Sequence, residues 1–399
     1  MLRPDTFALT LLLAMLSALG PLSMDMYLPS LPDIAHVLQA PIARVQLTVA
    51  SYLIGFAVGQ VIYGPVSDRH GRRPVLLAAI ALYLVSTLVC IATQSVTPLI
   101  GARLLQGIGG AGSIVLARAI VRDLYSGVRA GRELSLMGSI SAFAPIVAPM
   151  IGGVLQTAFG WRASFVVMIA CAAVALVVAG RLLPETLRQR ADRPLSLSSM
   201  VGGYGAVLAH RGYLVYLGIL TISYAGLFAW ISGASVVLQG VYGLSPVAFG
   251  FTFALGAAGY MVGATIATRL VVRLGLDRTI GLGVMVLAAG GFALAAVVAV
   301  GVPGVWLVAA MAIYLAGLGL AMPQAMAGAL TPFPDRAGTA ASLMGLVQQA
   351  AAATAAAVVG NYLGLSAWPV AGVVLGMGCL TLLLWASTRG LRAQERSER

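Results

Sequence analysis

The stretch Gly64-Pro65-Val66-Ser67-Asp68-Arg69-His70-Gly71-Arg72-Arg73-Pro74 decides how the rest of the chain is read. It places one acid and three arginines between an apolar run near 43–66 and another near 75–94. About 20 apolar residues cross the hydrocarbon core of a bilayer. A charged turn between two such runs is therefore a loop between two membrane-spanning helices.

Working outward, the same alternation covers the chain. Of 399 residues, 60% are hydrophobic and 9% charged, where a soluble domain carries about 25% charged residues. Apolar runs fall near 7–28, 43–66, 75–94, 97–119, 133–158, 162–184, 213–241, 246–269, 279–301, 304–331, 338–363 and 368–388. They are continuous rather than alternating every second residue, which excludes a β-barrel. The expectation is an all-α membrane protein with twelve transmembrane helices.

All 24 basic residues are Arg, and the net charge is +12. With the N-terminus in the cytoplasm, 21 Arg fall in inside segments, Arg44 and Arg162 fall outside, and Arg103 lies within a span. The positive-inside rule then places both termini in the cytoplasm. Topology accounts for the basic balance, so no nucleic-acid partner is expected. The longest polar interruption lies at the midpoint and gives a division into 1–186, a first six-helix bundle; 187–212, a cytoplasmic linker; 213–390, a second six-helix bundle; and 391–399, a cytoplasmic tail.

Cys90, Cys171 and Cys379 lie inside apolar spans and read as small packing residues. His36, His70 and His210 lie in loops, far apart in sequence. No metal or other cofactor is expected. The first apolar run lacks an Ala-x-Ala cleavage pattern and continues into Asp25 and two prolines, so it reads as the first span rather than a cleaved signal. Asp25 is the one acid read as deep within a span. A charge at the centre of such a helix costs roughly 2.5–3.5 kcal/mol, and a carboxylate kept there can take up and release a proton.

Three further stretches carry chemistry. In the fourth run, Arg103, Gln106, Gly110, Ser113 and Ala117 share one face at spacings of three and four. That face is small and polar and reads as cavity-lining, with Arg103 at a depth that allows a charge pair with Asp25. Gly107-x-Gly109-x-x-Gly112 matches a dinucleotide fingerprint but lacks the preceding strand and the later acid, so it reads as close helix packing. In the fifth run, Pro145, Pro149, Gly152 and Gly153 bend and thin the helix.

The 64–74 stretch resembles the signature loop of the major facilitator superfamily. Arg103 with Gln106-Gly107 resembles that superfamily's fourth-helix motif, tied to proton coupling. Pro145 to Gly153 resembles its antiporter motif, with Ala148 where a Gly is usual. Ser23-Met-Asp25-Met-Tyr27-Leu-Pro29, with Leu183-Pro184-Glu185-Thr186, resembles the bicyclomycin-resistance and chloramphenicol or florfenicol exporter branch. The resemblance implies the major facilitator fold and a drug:proton antiporter of the bacterial inner membrane, working by alternating access. Asp25 and Arg103 would couple protons. Gly64, Asp68, Arg69, Gly71, Arg72 and Arg73 would form a cytoplasmic gate, in which Asp68 pairs with Arg69 or Arg72. The start of the eleventh span, near Asp335 to Ala341, is the gate's implied partner. Expected partners are a small-molecule substrate, protons and the lipid bilayer, with the chain a monomer.

Cavity residues read from helix faces are Tyr27, Tyr52, Gln106, Phe143, Tyr224, Trp230, Phe253, Gln324, Gln348 and Gln349; packing or lipid contact is the competing reading for the aromatics. A membrane-embedded enzyme would need a Ser/His or His/Glu arrangement in the spans, and none is present in the sequence. Export of a small metabolite or peptide, or nutrient uptake by a symporter or facilitator of the same fold, remains the alternative.

Overall fold

The structure is a computed structural model that describes residues 7–125, 129–130, 132–134, 136–137, 143–187, 197–333, 336–362 and 366–392. Its helices are α1 (Phe7–Asp25), α2 (Leu31–Val37), α3 (Ile42–His70), α4 (Arg72–Ala92), α5 (Val96–Leu124), α6 (Ala144–Phe159) and α7 (Arg162–Leu182). They continue with α8 (Leu197–Leu208), α9 (Arg211–Ser235), α10 (Pro246–Leu274), α11 (Leu276–Val300), α12 (Val305–Leu330), α13 (Ala337–Tyr362) and α14 (Trp368–Ser387). Among the described residues, eleven elements are long and apolar enough to cross a membrane, and α6 is a shorter apolar helix. The part of the fifth expected run before Phe143 lies partly outside the described residues. Within the expected linker, residues 197–208 are helical, and residues 188–196 lie outside the description.

The chain divides into two compact units. The first comprises Met1–Leu195 with Ser245–Gly250, and the second Ser196–Leu244 with Phe251–Arg399.

In the first unit the glycines of α5 set the packing. A Cβ on Gly109 would lie 2.6 Å from the Tyr83 backbone nitrogen of α4, and one on Gly107 would lie 3.0 Å from the Phe56 nitrogen of α3. Gly107 and Gly109 are thus the places where α5 is pressed against two neighbouring backbones, as small residues permit in membranes.

The first apolar element is longer than the expected 7–28. It runs over Ala8–Val37, with a break after Asp25, a 3₁₀ turn at Leu28–Ser30, and α2 beyond. The cause is local. Pro29 has no N–H to donate to the carbonyl of Asp25, so the α-helical ladder stops there. The break places Asp25 near the middle of a 30-residue apolar element.

In the second unit, Leu217, Leu220, Val284, Ala325, Leu343 and Met344 belong to one buried apolar cluster. Tyr314 of α12 donates its hydroxyl to Ser223 O at 3.0 Å. Arg392, 2% exposed, pairs with Asp277 Oδ1 at 2.6 Å and ties the segment after α14 to the start of α11.

Candidate functional site

The break in the first span is clasped from two sides. Ser164 of α7 donates its hydroxyl to Met26 O at 3.2 Å. Gly152 of α6 lies so close to Met26 that a Cβ there would stand 3.1 Å from the Met26 Cα. Lipid would offer the backbone groups freed at the break no partner; the Ser164 hydroxyl supplies one, and the bare Gly152 lets α6 approach closely.

Beside the break, Arg103 is fully buried, at 0% exposure. Its guanidinium lies over two rings, 4.6 Å from the Tyr27 centroid and 4.3 Å from that of Tyr52. Nη1 donates to Gln106 Oε1 at 2.6 Å and to Ser23 O at 3.3 Å. Nε and Nη2 have no hydrogen-bond partner. Gln106 Nε2 donates onward to Thr87 Oγ1 at 2.8 Å. Ser23 shares a short hydrogen bond with Tyr83, Tyr27 pairs with Thr48 at 2.8 Å, and Tyr52 donates to Gly20 O at 3.0 Å. Asp25 is 5% exposed, two residues from Ser23 and two from Tyr27. The structure therefore gathers Asp25, Tyr27, Tyr52, Arg103 and Gln106 around one break.

Two expectations are corrected. No ion pair joins Asp25 to Arg103 among the described residues; the tyrosine rings, Gln106 and the Ser23 carbonyl hold the guanidinium instead. The α5 face carrying Gln106, Gly110 and Ser113 is packed rather than open: Gln106 and Ser113 are 0% exposed, and a Cβ on Gly110 would lie 3.1 Å from the Tyr52 hydroxyl.

The other expected cavity residues differ in exposure. Phe143 is 55% exposed at the start of α6. Trp230 and Phe253 are buried, Gln324 and Gln348 are half-buried, and Gln349 is buried. Tyr224 is half-buried and packs on Phe228, centroids 4.7 Å apart.

The charged turn forms a second cluster. Arg72 Nη1 lies 2.5 Å from Asp68 Oδ1, and its Nε lies 2.8 Å from Asp123 Oδ2. Nη1 also donates to Ser67 Oγ at 2.6 Å. Glu185 accepts the backbone N–H of Arg72 at 2.9 Å and that of Arg73 at 3.2 Å, so it satisfies orphan donors of α4 and sits at the positive end of its dipole. Gly71 turns the chain with φ +101, and a Cβ there would meet Glu185 Cδ at 3.1 Å. Gly64, by contrast, has nothing within 4 Å of such a Cβ. Of the expected partners for Asp68, Arg72 is the one it meets, while Arg69 is exposed. Asp335 lies outside the described residues.

Asp123 and Glu185 are cluster members that the sequence reading did not assign. Their signal is that they are acids at span ends in an otherwise arginine-rich face. Glu185→Ala should lower stability by about 1 kcal/mol, the usual worth of a helix cap. A thermal melt of the purified protein checks this, and an unchanged midpoint would show that water replaces the carboxylate.

In the α6 motif, Gly153 and Gly250 make close approaches within the first unit. A Cβ on Gly153 would lie 3.1 Å from Val247 Cα, and one on Gly250 would lie 2.9 Å from Met150 Cα. Pro149 is an internal proline of α6, and Pro145 occupies its first turn, where a missing N–H costs nothing.

Comparison with known proteins fits this architecture. The profile of the Major Facilitator Superfamily matches residues 13–356. "Multidrug resistance protein D" of Escherichia coli (strain K12) is 34% identical over 350 residues, 87% of each chain. The "Bicyclomycin resistance protein homolog" of Haemophilus influenzae is 31% identical over 360 residues, 90% of each chain. Among solved structures, the crystal structure of a D-xylose-proton symporter superposes with a TM-score of 0.75 at 19% identity, covering 95% of this chain and 96% of the other. At that identity the likeness concerns the fold.

Proposed function

The chain belongs to the major facilitator superfamily, and we propose that it is a drug:proton antiporter of that superfamily, exporting small amphiphilic compounds by alternating access. The observation that carries the reading is the buried carboxyl of Asp25 at the break of the first span, beside a buried, aromatic-clasped Arg103. The relatives named for multidrug and bicyclomycin resistance supply the substrate class. Asp25 takes a proton from outside and loses it inside, and Arg103 holds the break in shape. Asp68, Arg72, Asp123 and Glu185 lock the cytoplasmic charge cluster and act as a gate. The arginine distribution supports the reading of a bacterial inner-membrane protein with both termini in the cytoplasm, working as a monomer and not as an enzyme. The division at 1–186, 187–212, 213–390 and 391–399 separates two rocking bundles from linker and tail.

One proton moving down a potential of 100 mV supplies about 2.3 kcal/mol, enough to concentrate a neutral substrate roughly fifty-fold. Flux of an amphiphilic drug in proteoliposomes under an imposed pH gradient tests the direction. Antiport predicts drug movement opposite to the proton; movement with the proton would make the protein a symporter and end this reading.

A further inference from the structure

The second unit carries polar groups that proton exchange does not use. Tyr213 donates its hydroxyl to Ala340 O at 2.8 Å, and Ser232 donates to Ala356 O at 3.3 Å. These two ties hold α9 and α13 parallel and in step. They bring Thr221 to Tyr224 level with Val347 to Gln349, near the middle of both helices. Leu220 and Val347 pack into the same apolar cluster, so that cluster ends where this level begins. Three polar atoms next to it have no hydrogen-bond partner: Thr221 Oγ1, Gln348 Nε2 and Gln349 Oε1. Gln349 is 8% exposed. Tyr224 and Phe228 form their ring pair on the same stretch of α9.

A buried amide or hydroxyl without a partner is costly, whereas an apolar residue of the same shape is not. Two consecutive glutamines in the middle of an alanine-rich helix are therefore waiting for a partner rather than packing. Between them, the three side chains offer amide donors, an amide acceptor and a hydroxyl that does both. Every described Asp and Arg of the second half lies outside the helices or within about five residues of a helix end. An ionic group at this level would find no counter-charge from that half, and burying one unpaired is prohibitive.

We propose that Thr221, Gln348 and Gln349 bind an uncharged amide or hydroxyl group of the exported compound, while Tyr224 and Phe228 take its apolar body. This deepens the drug-antiporter reading and rests on it. The neutral group is recognised in the second unit, and the proton is handled in the first.

The test uses the full-length protein with Thr221→Val, Gln348→Leu and Gln349→Leu combined, a set that keeps volume and removes hydrogen bonding. Chloramphenicol, an uncharged amide with two hydroxyls, and ethidium, a permanent cation, are followed in proteoliposomes. The chloramphenicol-to-ethidium preference should fall about tenfold, as loss of one net hydrogen bond already allows. The unfolding midpoint should hold or rise, because unpartnered polar atoms have been removed. Equal losses for both probes, a lowered midpoint, undiminished chloramphenicol transport, or a wild-type protein that exports ethidium alone or neither probe would each overturn the proposal. Asp25→Asn run in parallel separates the two readings. If that variant still pumps on a pH gradient while the triple variant loses chloramphenicol, the proton role fails and the neutral subsite stands. If it stops pumping while the triple variant keeps its preference, the reverse holds.

Discussion

Asn in place of Asp25 should stop uphill drug export, with at least a 100-fold drop in the initial rate under a pH gradient. Asn has the shape of Asp and cannot ionise, so the variant removes the exchangeable proton and little else. Asp25 is 5% exposed beside a break that Ser164 and Gly152 hold, and none of those contacts needs a negative charge. Removing a buried charge relieves its desolvation cost, so the fold should survive and the melting midpoint should not fall. Without the carrier, the driving force of about 2.3 kcal/mol per 100 mV is disconnected from the drug. Downhill equilibration of substrate should persist, which distinguishes uncoupling from collapse. Everted vesicles carrying the variant check this: drug should equilibrate without accumulating. Accumulation that still follows the pH gradient would remove Asp25 from the mechanism.

The second large effect concerns Arg103. Its guanidinium is fully buried, has no ion pair among the described residues, and leaves two of three nitrogens without a hydrogen bond. Stacking on Tyr27 and Tyr52 offsets part of the cost, each contact worth about 0.5–2 kcal/mol. Replacing a buried charge by an apolar group of similar volume is often neutral or stabilising. Arg103→Met should therefore melt no earlier than the native protein, yet lose export by about 100-fold. Arg103→Lys should restore little, because an ammonium is a point charge and cannot span both rings and two acceptors as the planar guanidinium does. Melts and transport rates measured on the same preparations check the pair. A midpoint that falls in step with activity would show that Arg103 merely holds the helices together.

Much of this was legible in the sequence. The succession of long apolar runs, the cluster at 64–74 and the isolated Asp25 follow from period and composition, because a bilayer forces backbone satisfaction within each segment. Gly107, Gly109 and Gly112 read correctly as packing residues, since a fingerprint without its strand has no phosphate to hold. The break after Asp25 was legible in part: Pro29 and Pro32 announce it, but hydropathy alone cannot say that the apolar element continues to Val37. Arg103's partners were not legible. Similar depth suggested a carboxylate, whereas the rings that hold the guanidinium come from α3 and from the break just before the 3₁₀ turn, and nothing in the spacing of α5 points to them. Glu185 capping α4 across more than a hundred residues was equally hidden, because capping from outside a helix's own sequence leaves no local pattern.

As the proposed proton carrier, Asp25 should give up a proton when substrate binds. Purified protein in weakly buffered detergent solution, mixed with an exported drug in the presence of a pH indicator, measures this directly. The native chain should release close to one proton for each drug bound, and Asp25→Asn should bind drug and release none. Drug binding to the native chain without proton release, or equal release from the variant, would contradict it.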